Sequence, residues 1–192
     1  MLVQTLSTVS HVFFTCSFTT AFGPLRLLAD DDVLCGLLLP GKDSPAKEAL
    51  PGAWATASQC SEHPLLRQAR EQILAYLRGA LRVFDLPLAP KGTGFRQAVW
   101  QQLLTIPYGE TMSYGELAAR LGDKNKARAV GGAAHHNPIA LIIPCHRLIG
   151  ADGGLTGFGG GLPMKQALLD LERDVCQKDG ETPATPKDEA VS

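Results

Sequence analysis

Residues 139–147, Ile139-Ala140-Leu141-Ile142-Ile143-Pro144-Cys145-His146-Arg147, decide how this chain is read. The apolar run Ile139 to Ile143 predicts a buried strand, and Pro144 ends it at once. A thiol and an imidazole follow side by side where that strand leaves the core. A cysteine is a strong nucleophile only as the thiolate, which needs a base or positive potential beside it. Here a histidine and an arginine stand next to it. The plainer alternative is a buried small hydrophobe, which is what most free cysteines are.

Upstream, residues 111–138 read as two short helices with a tight turn between them. Ser113-Tyr114-Gly115-Glu116 is a capping box, in which serine caps the helix start and glutamate reaches back to it. Leu117, Ala118 and Leu121 form one apolar face, and Gly122 supplies the stop. Asp123-Lys124-Asn125 is the turn, with Asn125 the expected cap of the next helix. That helix should run from about Lys126 to His135 and end before Asn137-Pro138. Two helices so joined resemble a helix-turn-helix, whose second helix meets DNA.

The second helix, Ala127-Arg128-Ala129-Val130-Gly131-Gly132-Ala133-Ala134, has almost minimal side chains. Each interior glycine costs about 1 kcal/mol relative to alanine. Small residues permit either close approach to a groove or tight helix packing in a core. Groove contact is favoured, because Lys126 and Arg128 would be awkward in a core.

The stretch from Phe95 to Glu172 is similar to the alkyl-accepting, DNA-binding domain of the 6-O-alkylguanine-DNA alkyltransferases (methylated-DNA–protein-cysteine methyltransferases). The matching pieces are FRQAVWQQLLTIPYGETMSYGELA, RAVGGA, NPIALIIPCHRLI and GGLTGFGGGLPMKQALLDLE. Residues Met1 to Leu88 resemble the family's more variable N-terminal domain, chiefly through a strand-turn-strand followed by HPLLRQAREQILAYLRG. The resemblance implies an α/β chain in three parts. A small ribonuclease H-like α/β domain spans residues 1–90. A mainly helical alkyl-accepting domain with the helix-turn-helix spans 91–173, and a disordered tail spans 174–192.

It also implies a chemistry: direct, irreversible transfer of a methyl or other alkyl group to the protein's own Cys145, once per molecule. The group comes from the 6-oxygen of guanine, and the 4-oxygen of thymine, in duplex DNA. By the same carry-over His146 is the base, acting through a water, and Glu172 holds the imidazole. Because the target oxygen is inside the duplex, the nucleotide must be flipped out through the minor groove. Tyr114 would crowd the target phosphate, Gly115 beside it would also meet the DNA, and Arg128 would fill the gap. Gly131 and Gly132 would let the helix approach the groove. Asn137 would hold the hinge before the active-site strand, and the loop from Gly153 to Gly161 would wall the pocket. Many relatives carry tyrosine where this chain has Phe158, which keeps the ring face and loses the hydroxyl donor. Gly159-Gly160-Gly161 suggests a roomy or flexible wall, so a benzylated guanine is expected to label Cys145 as well.

The remaining readings rest on composition. With 192 residues, 45% of them hydrophobic, the chain can bury one good core or two small ones. Five cysteines without paired spacing indicate a reducing compartment, cytoplasm or, in a eukaryote, nucleus. No membrane-spanning run is visible, and VFFTCSF reads as a strand and not a signal peptide. No cofactor is implied and no metal is expected, since Cys16, Cys35, Cys60 and His63 lack zinc-ligand spacing and His135-His136 sits at a helix end. The expected partner is double-stranded DNA with an alkylated guanine, met by a monomer.

Net charge is −1, but it is unevenly spread. Residues 1–90 carry seven Lys/Arg against eight Asp/Glu, 91–173 nine against six, and 174–192 two against five. The excess is placed at Arg120, Lys124, Lys126, Arg128 and Arg147, which predicts modest, salt-sensitive DNA affinity.

In the N-terminal part, strands are expected from Val12 to Phe18, Leu25 to Ala29 and Val33 to Leu39, with turns at Phe22-Gly23-Pro24 and Asp30-Asp31-Asp32. Residues 41–61 read as an irregular loop. Pro64 should open a helix with a core stripe of Leu66, Ala69, Ile73 and Leu77. Phe95 to Leu104 should be amphipathic, with Phe95, Val99 and Leu103 inward.

Three rival functions are weaker. A non-catalytic sensor of alkylated DNA would lack the cysteine. An Ala/Gly recognition helix offers a transcription regulator little for base-edge readout. A cysteine hydrolase is opposed because neighbours on a strand point to opposite sides.

Overall fold

The computed structural model describes residues 12–40 and 45–180. β1 (Phe14–Thr20) and β2 (Gly23–Ala29) form an antiparallel hairpin in register from Phe14↔Ala29 to Thr20↔Gly23. Its turn is Ala21-Phe22, one step ahead of the expected one, and Gly23 leaves it at φ 105°. β3 (Leu34–Leu38) adds antiparallel to β2. The acidic run between them bonds to itself, with Asp30 Oδ1 accepting from the backbone N–H of Asp32 (3.1 Å) and Val33 (2.9 Å). β4 (Ser58–Gln59) runs parallel to β1 and completes the sheet in the order β3-β2-β1-β4.

Residues 45–61 are more ordered than the irregular loop expected there. They form α1 (Pro45–Ala49), α2 (Ala53–Thr56) and β4. Trp54 is the reason: it is buried with Leu28, Cys35, Leu38, Ala46 and Ala53, and its indole N–H donates to Ala46 O at 2.9 Å. One aromatic anchor orders a stretch whose composition otherwise reads as loop. Residues 41–44 lie outside the described residues.

α3 (Pro64–Leu77) covers the other face of the sheet. Leu66, Ala69 and Ile73 are buried as expected, but the stripe ends on fully buried Tyr76, while Leu77 is only half-buried. Thr93 caps α4 (Gly94–Leu103). Val99 and Leu103 face the core, whereas Phe95 is 38% exposed. Trp100 takes the inward place, its Nε1–H donating to Ala133 O at 2.9 Å.

β5 (Met112–Ser113) leads into α5 (Tyr114–Arg120) through the expected capping box: Glu116 N–H donates to Ser113 Oγ (3.1 Å) and Ser113 N–H to Glu116 Oε2 (2.7 Å). Gly122, at φ 94°, follows the helix end. Asp123, not Asn125, is the next cap: its Oδ1 accepts from Asn125 N–H at 3.0 Å and opens a 3₁₀ turn, Lys124–Lys126. α6 (Ala127–His135) follows.

The largest correction concerns Ile139–Ile143, which is not a strand. The chain doubles back there, with single bridges Leu37↔Ile139 and Ala140↔Ile143 and with Leu141 at φ 77°. Asn137 supplies the physical reason. Its Oδ1 accepts from Ile139 N–H (3.0 Å) and its Nδ2 donates to Ile143 O (2.8 Å), so one amide spans a bend that a strand would open. A left-handed leucine costs roughly 1–2 kcal/mol, offset by its near-complete burial. Cys145–Arg147 is a 3₁₀ turn, followed by β6 (Leu148–Ile149), which pairs parallel with β5.

α7 (Leu162–Gly180) runs past residue 174, where the disordered tail was expected to begin. The remainder of that tail, 181–192, lies outside the described residues.

Buried residues from both halves form one cluster, from Cys16 and Leu25 through Val99 and Ile143 to Leu168. The free edge of β3 is covered by later parts of the chain. Leu34 exchanges bonds with Pro87 and Ala89 (2.8 and 3.0 Å), and Leu37 N–H donates to Pro138 O at 2.8 Å. The bend that carries Cys145 is thus hung on the N-terminal sheet. No helix among the described residues is long and apolar enough to cross a membrane.

Candidate active site

Cys145 is 6% exposed, at the start of its 3₁₀ turn. Asn137 Nδ2 donates to its Sγ at 3.2 Å, the same amide that holds the bend. Burial pushes the thiol above its usual 9.0, while the Asn137 bond and the charge of Lys165 pull it back. The resting group is therefore a thiol, which would become nucleophilic only once a base takes its proton.

An imidazole lies next in sequence. His146 is wholly buried, and its Nε2 is 3.0 Å from Glu172 Oε1 and 3.2 Å from the Tyr76 hydroxyl. Tyr76 lies 2.6 Å from Glu172 Oε1 and must donate there, because an ionised carboxylate only accepts. Its one proton is then spent, so Nε2 faces two acceptors and must itself carry hydrogen. Nδ1 is left as the basic nitrogen, buried and with no hydrogen-bond partner in the protein. Burial depresses the imidazole below 6.5, Glu172 raises it, and Arg147 and Lys165 lower it again. The net direction is downward, which favours the uncharged ring.

Glu172, on α7, is the hub. Burial alone would raise its carboxyl, but hydrogen bonds and charges from His146 and Arg147 overturn that and hold it at about 2. Arg147 Nη2 and Nε lie 2.8 and 3.0 Å from its two oxygens, and Gly109 N–H donates to Oε2 at 3.0 Å. Arg147 Nη1 donates to Ile106 O at 2.6 Å. This corrects the charge assignment: Arg147 is a buried partner of Glu172, not a phosphate-facing cation. Arg120, Lys124, Lys126 and Arg128 are exposed.

Tyr76 and Lys165 escaped the sequence reading. Each had a periodic signal: Tyr76 continues the stripe Leu66, Ala69, Ile73, and Lys165 shares a helical face with Leu168 and Glu172. Lys165 is fully buried, with Nζ donating to Leu148 O and to Thr156 O (2.7 Å), and 6.0 Å from the Tyr114 ring centroid. It ties the Gly150–Gly161 loop to the exit from the cysteine turn. In that loop Phe158 stands edge-on to His146, ring centroids 6.2 Å apart, and Gly160 is half-buried beside it.

Gly159 lines a cavity beside Cys145 whose other walls include Leu37, Leu39, Pro45, Asn137 and Ala140. Its volume is about 10 Å³, enough for one water. Of the roomy or flexible wall expected from the glycines, the structure shows no room beside Cys145, where two leucines and a proline of the N-terminal half line the space.

Next to this cavity, and sharing His135 as a wall with it, Tyr114, Arg128 and Gly131 meet Thr156 and Gly157 around an open groove of about 420 Å³. Tyr114 reaches Thr156, which donates to its hydroxyl at 3.1 Å. Gly115 is the second residue of α5, half-buried beside Ser113. The small residues of α6 divide cleanly. Val130, Ala133 and Ala134 are buried, but a side chain added at Gly132 would meet nothing within 4 Å, and one at Gly131 only the Tyr114 ring at 3.7 Å. Internal packing does not require glycine at either place. Among the described residues no group of three or more His, Cys, Asp or Glu is arranged to hold a metal.

Residues 94–174 match the family model for the 6-O-methylguanine DNA methyltransferase DNA-binding domain. The chain is 48% identical over 155 residues to the methylated-DNA–protein-cysteine methyltransferase of Mycobacterium tuberculosis, covering 79% of this chain and 87% of that one. It is 44% identical over 156 residues to the methyltransferase of the same name from Methanosarcina acetivorans, covering 81% and 95%. Among solved structures, the M. tuberculosis OGT in complex with DNA superposes with a TM-score of 0.75 at 43% identity, over 84% of this chain and 94% of that one.

Proposed function

The chain belongs to the methylated-DNA–protein-cysteine methyltransferases, and from that premise we propose that it repairs duplex DNA by moving an alkyl group from O6 of guanine, or O4 of thymine, onto its own Cys145. The observations that carry this reading are a buried thiol held by Asn137 and, next to it in sequence, a buried imidazole whose unpartnered nitrogen is Nδ1. The thiol proton passes through a water to Nδ1. Sulfur then attacks the alkyl carbon in line, the S–C bond forming as the C–O bond breaks, and the base departs with the oxygen and the bonding pair. Glu172 stabilises the imidazolium without taking its proton, being held at about 2 by Arg147 and His146. The thioether is permanent, so each molecule acts once, as a monomer.

DNA would lie along the groove beside α6, with α5 and α6 acting as a helix-turn-helix. Tyr114 and Gly115 would press on the target phosphate, Arg128 would fill the vacated stack, and Gly131 and Gly132 would sit against the minor groove. A cavity of about 10 Å³ cannot hold a purine. A flipped base is admitted only when the Gly150–Gly161 loop moves away from Leu39 and Pro45.

Incubation with an oligonucleotide containing O6-methylguanine should add one methyl group per molecule by intact mass, and the Cys145→Ser variant should gain none. A benzylated guanine should react more slowly than the methylated one, because the cavity is closed by Leu37, Leu39 and Pro45. An unchanged mass for the wild type would dispose of the reading.

A further inference from the structure

We infer that Tyr76, supplied by α3 of the N-terminal half, is a positioning residue for alkyl transfer, its hydroxyl locking the His146 ring through Nε2 and so keeping Nδ1 free as the basic nitrogen. The inference rests on the alkyl-transfer reading above and extends it to the other half of the chain. Tyr76 is fully buried, 96 positions from Glu172 and 70 from His146 in sequence, yet its oxygen lies 2.6 Å from one and 3.2 Å from the other. Oη, Oε1 and Nε2 thus form a closed triangle of polar atoms, its third side the 3.0 Å from Nε2 to Oε1.

The geometry distinguishes orientation from basicity. A ring N–H with one acceptor can pivot about that bond, whereas one forked between two acceptors cannot. The hydroxyl oxygen and its proton lie at similar distances from Nε2, so their opposite charges largely cancel there. Tyr76 should therefore fix where Nδ1 points more than how basic it is. Its bond to Oε1 also anchors the carboxylate against movement within the Arg147 fork.

Tyr76→Phe keeps the ring and its contacts with Phe84 (5.2 Å) and Tyr108 (5.9 Å) and removes only the hydroxyl. Single-turnover methyl transfer at saturating DNA is expected to slow by about fivefold to tenfold, the worth of one hydrogen bond, with DNA affinity unchanged. The His146 Nε2–H proton resonance is expected to move downfield as its forked bond collapses onto Glu172. Phe84→Leu, which disturbs the packing and keeps the hydroxyl, should alter neither. Equal slowing by Phe84→Leu, or a Tyr76→Phe variant with wild-type rate and resonance, would overturn the assignment. In the wild type the Tyr76 hydroxyl proton should be protected from exchange, and a freely exchanging one would overturn it too. The resonance measurements need no alkylated DNA, so they stand or fall apart from the reading of the reaction.

Discussion

Glu172 accepts hydrogen bonds from four residues, Tyr76, Gly109, His146 and Arg147, whereas a side chain added at Gly132 would touch nothing within 4 Å. In the first region charge has been taken out of water and every group except His146 Nδ1 answers another inside the chain. In the second, a helix face has been stripped of side chains that the protein itself has no need to remove. The inner region is costly to disturb because its charges balance only as a set. The outer face gives up helix stability for a surface that can lie close to something flat or grooved. Roles in the first can be read from internal partners, and in the second from the lack of them.

The widest test of that contrast is Glu172→Ala. Leaving Arg147 buried without its carboxylate should cost about 3–5 kcal/mol, read as a fall in the denaturation midpoint. Acid should act in the same direction. A carboxyl held at about 2 when folded, against 4.5 ordinarily, adds stability that is complete above pH 4.5 and disappears as the pH falls towards 2. A melting temperature flat from pH 6 to pH 3 would mean that the hub contributes little.

The outer face should respond to salt. With Arg147 withdrawn into the core, exposed Arg120, Lys124, Lys126 and Arg128 leave room for two or three phosphate contacts. Duplex affinity should then fall roughly ten- to fiftyfold over a fourfold rise in salt. A salt-independent affinity would remove α5 and α6 as the DNA surface. The smallest effect separates the two regions most directly. Gly132→Ala should raise stability by up to about 1 kcal/mol while weakening duplex binding. Higher stability with binding and transfer intact would show that the bare face meets nothing.

Much of the site was legible in the sequence because it follows from local rules. The capping box at Ser113, the stop at Gly122, the hairpin and the apolar stripe of α3 depend on neighbours a few positions away. What misled was the apolar run Ile139–Ile143, whose composition says strand while the side chain of Asn137 ties it into a bend. Arg147 was misplaced for a related reason, since a charge next to a cysteine looks the same on paper whether it faces phosphate or a buried glutamate. Phe95 was read as inward where Trp100 takes that place, because both lie near the inward stripe of α4 and only the neighbouring α6 decides which is covered.

By itself the sequence determined the candidate thiol and its neighbouring imidazole, the two short helices, the family, and the α/β character of the chain, since each is carried by residues close together in order. Only the tertiary structure decided that Tyr76 and Lys165 belong to the site, that Arg147 neutralises Glu172, and that Leu37, Leu39 and Pro45 close the space beside Cys145. Those groups meet across up to a hundred or so positions of chain, and burial makes partners of residues that sequence order keeps apart.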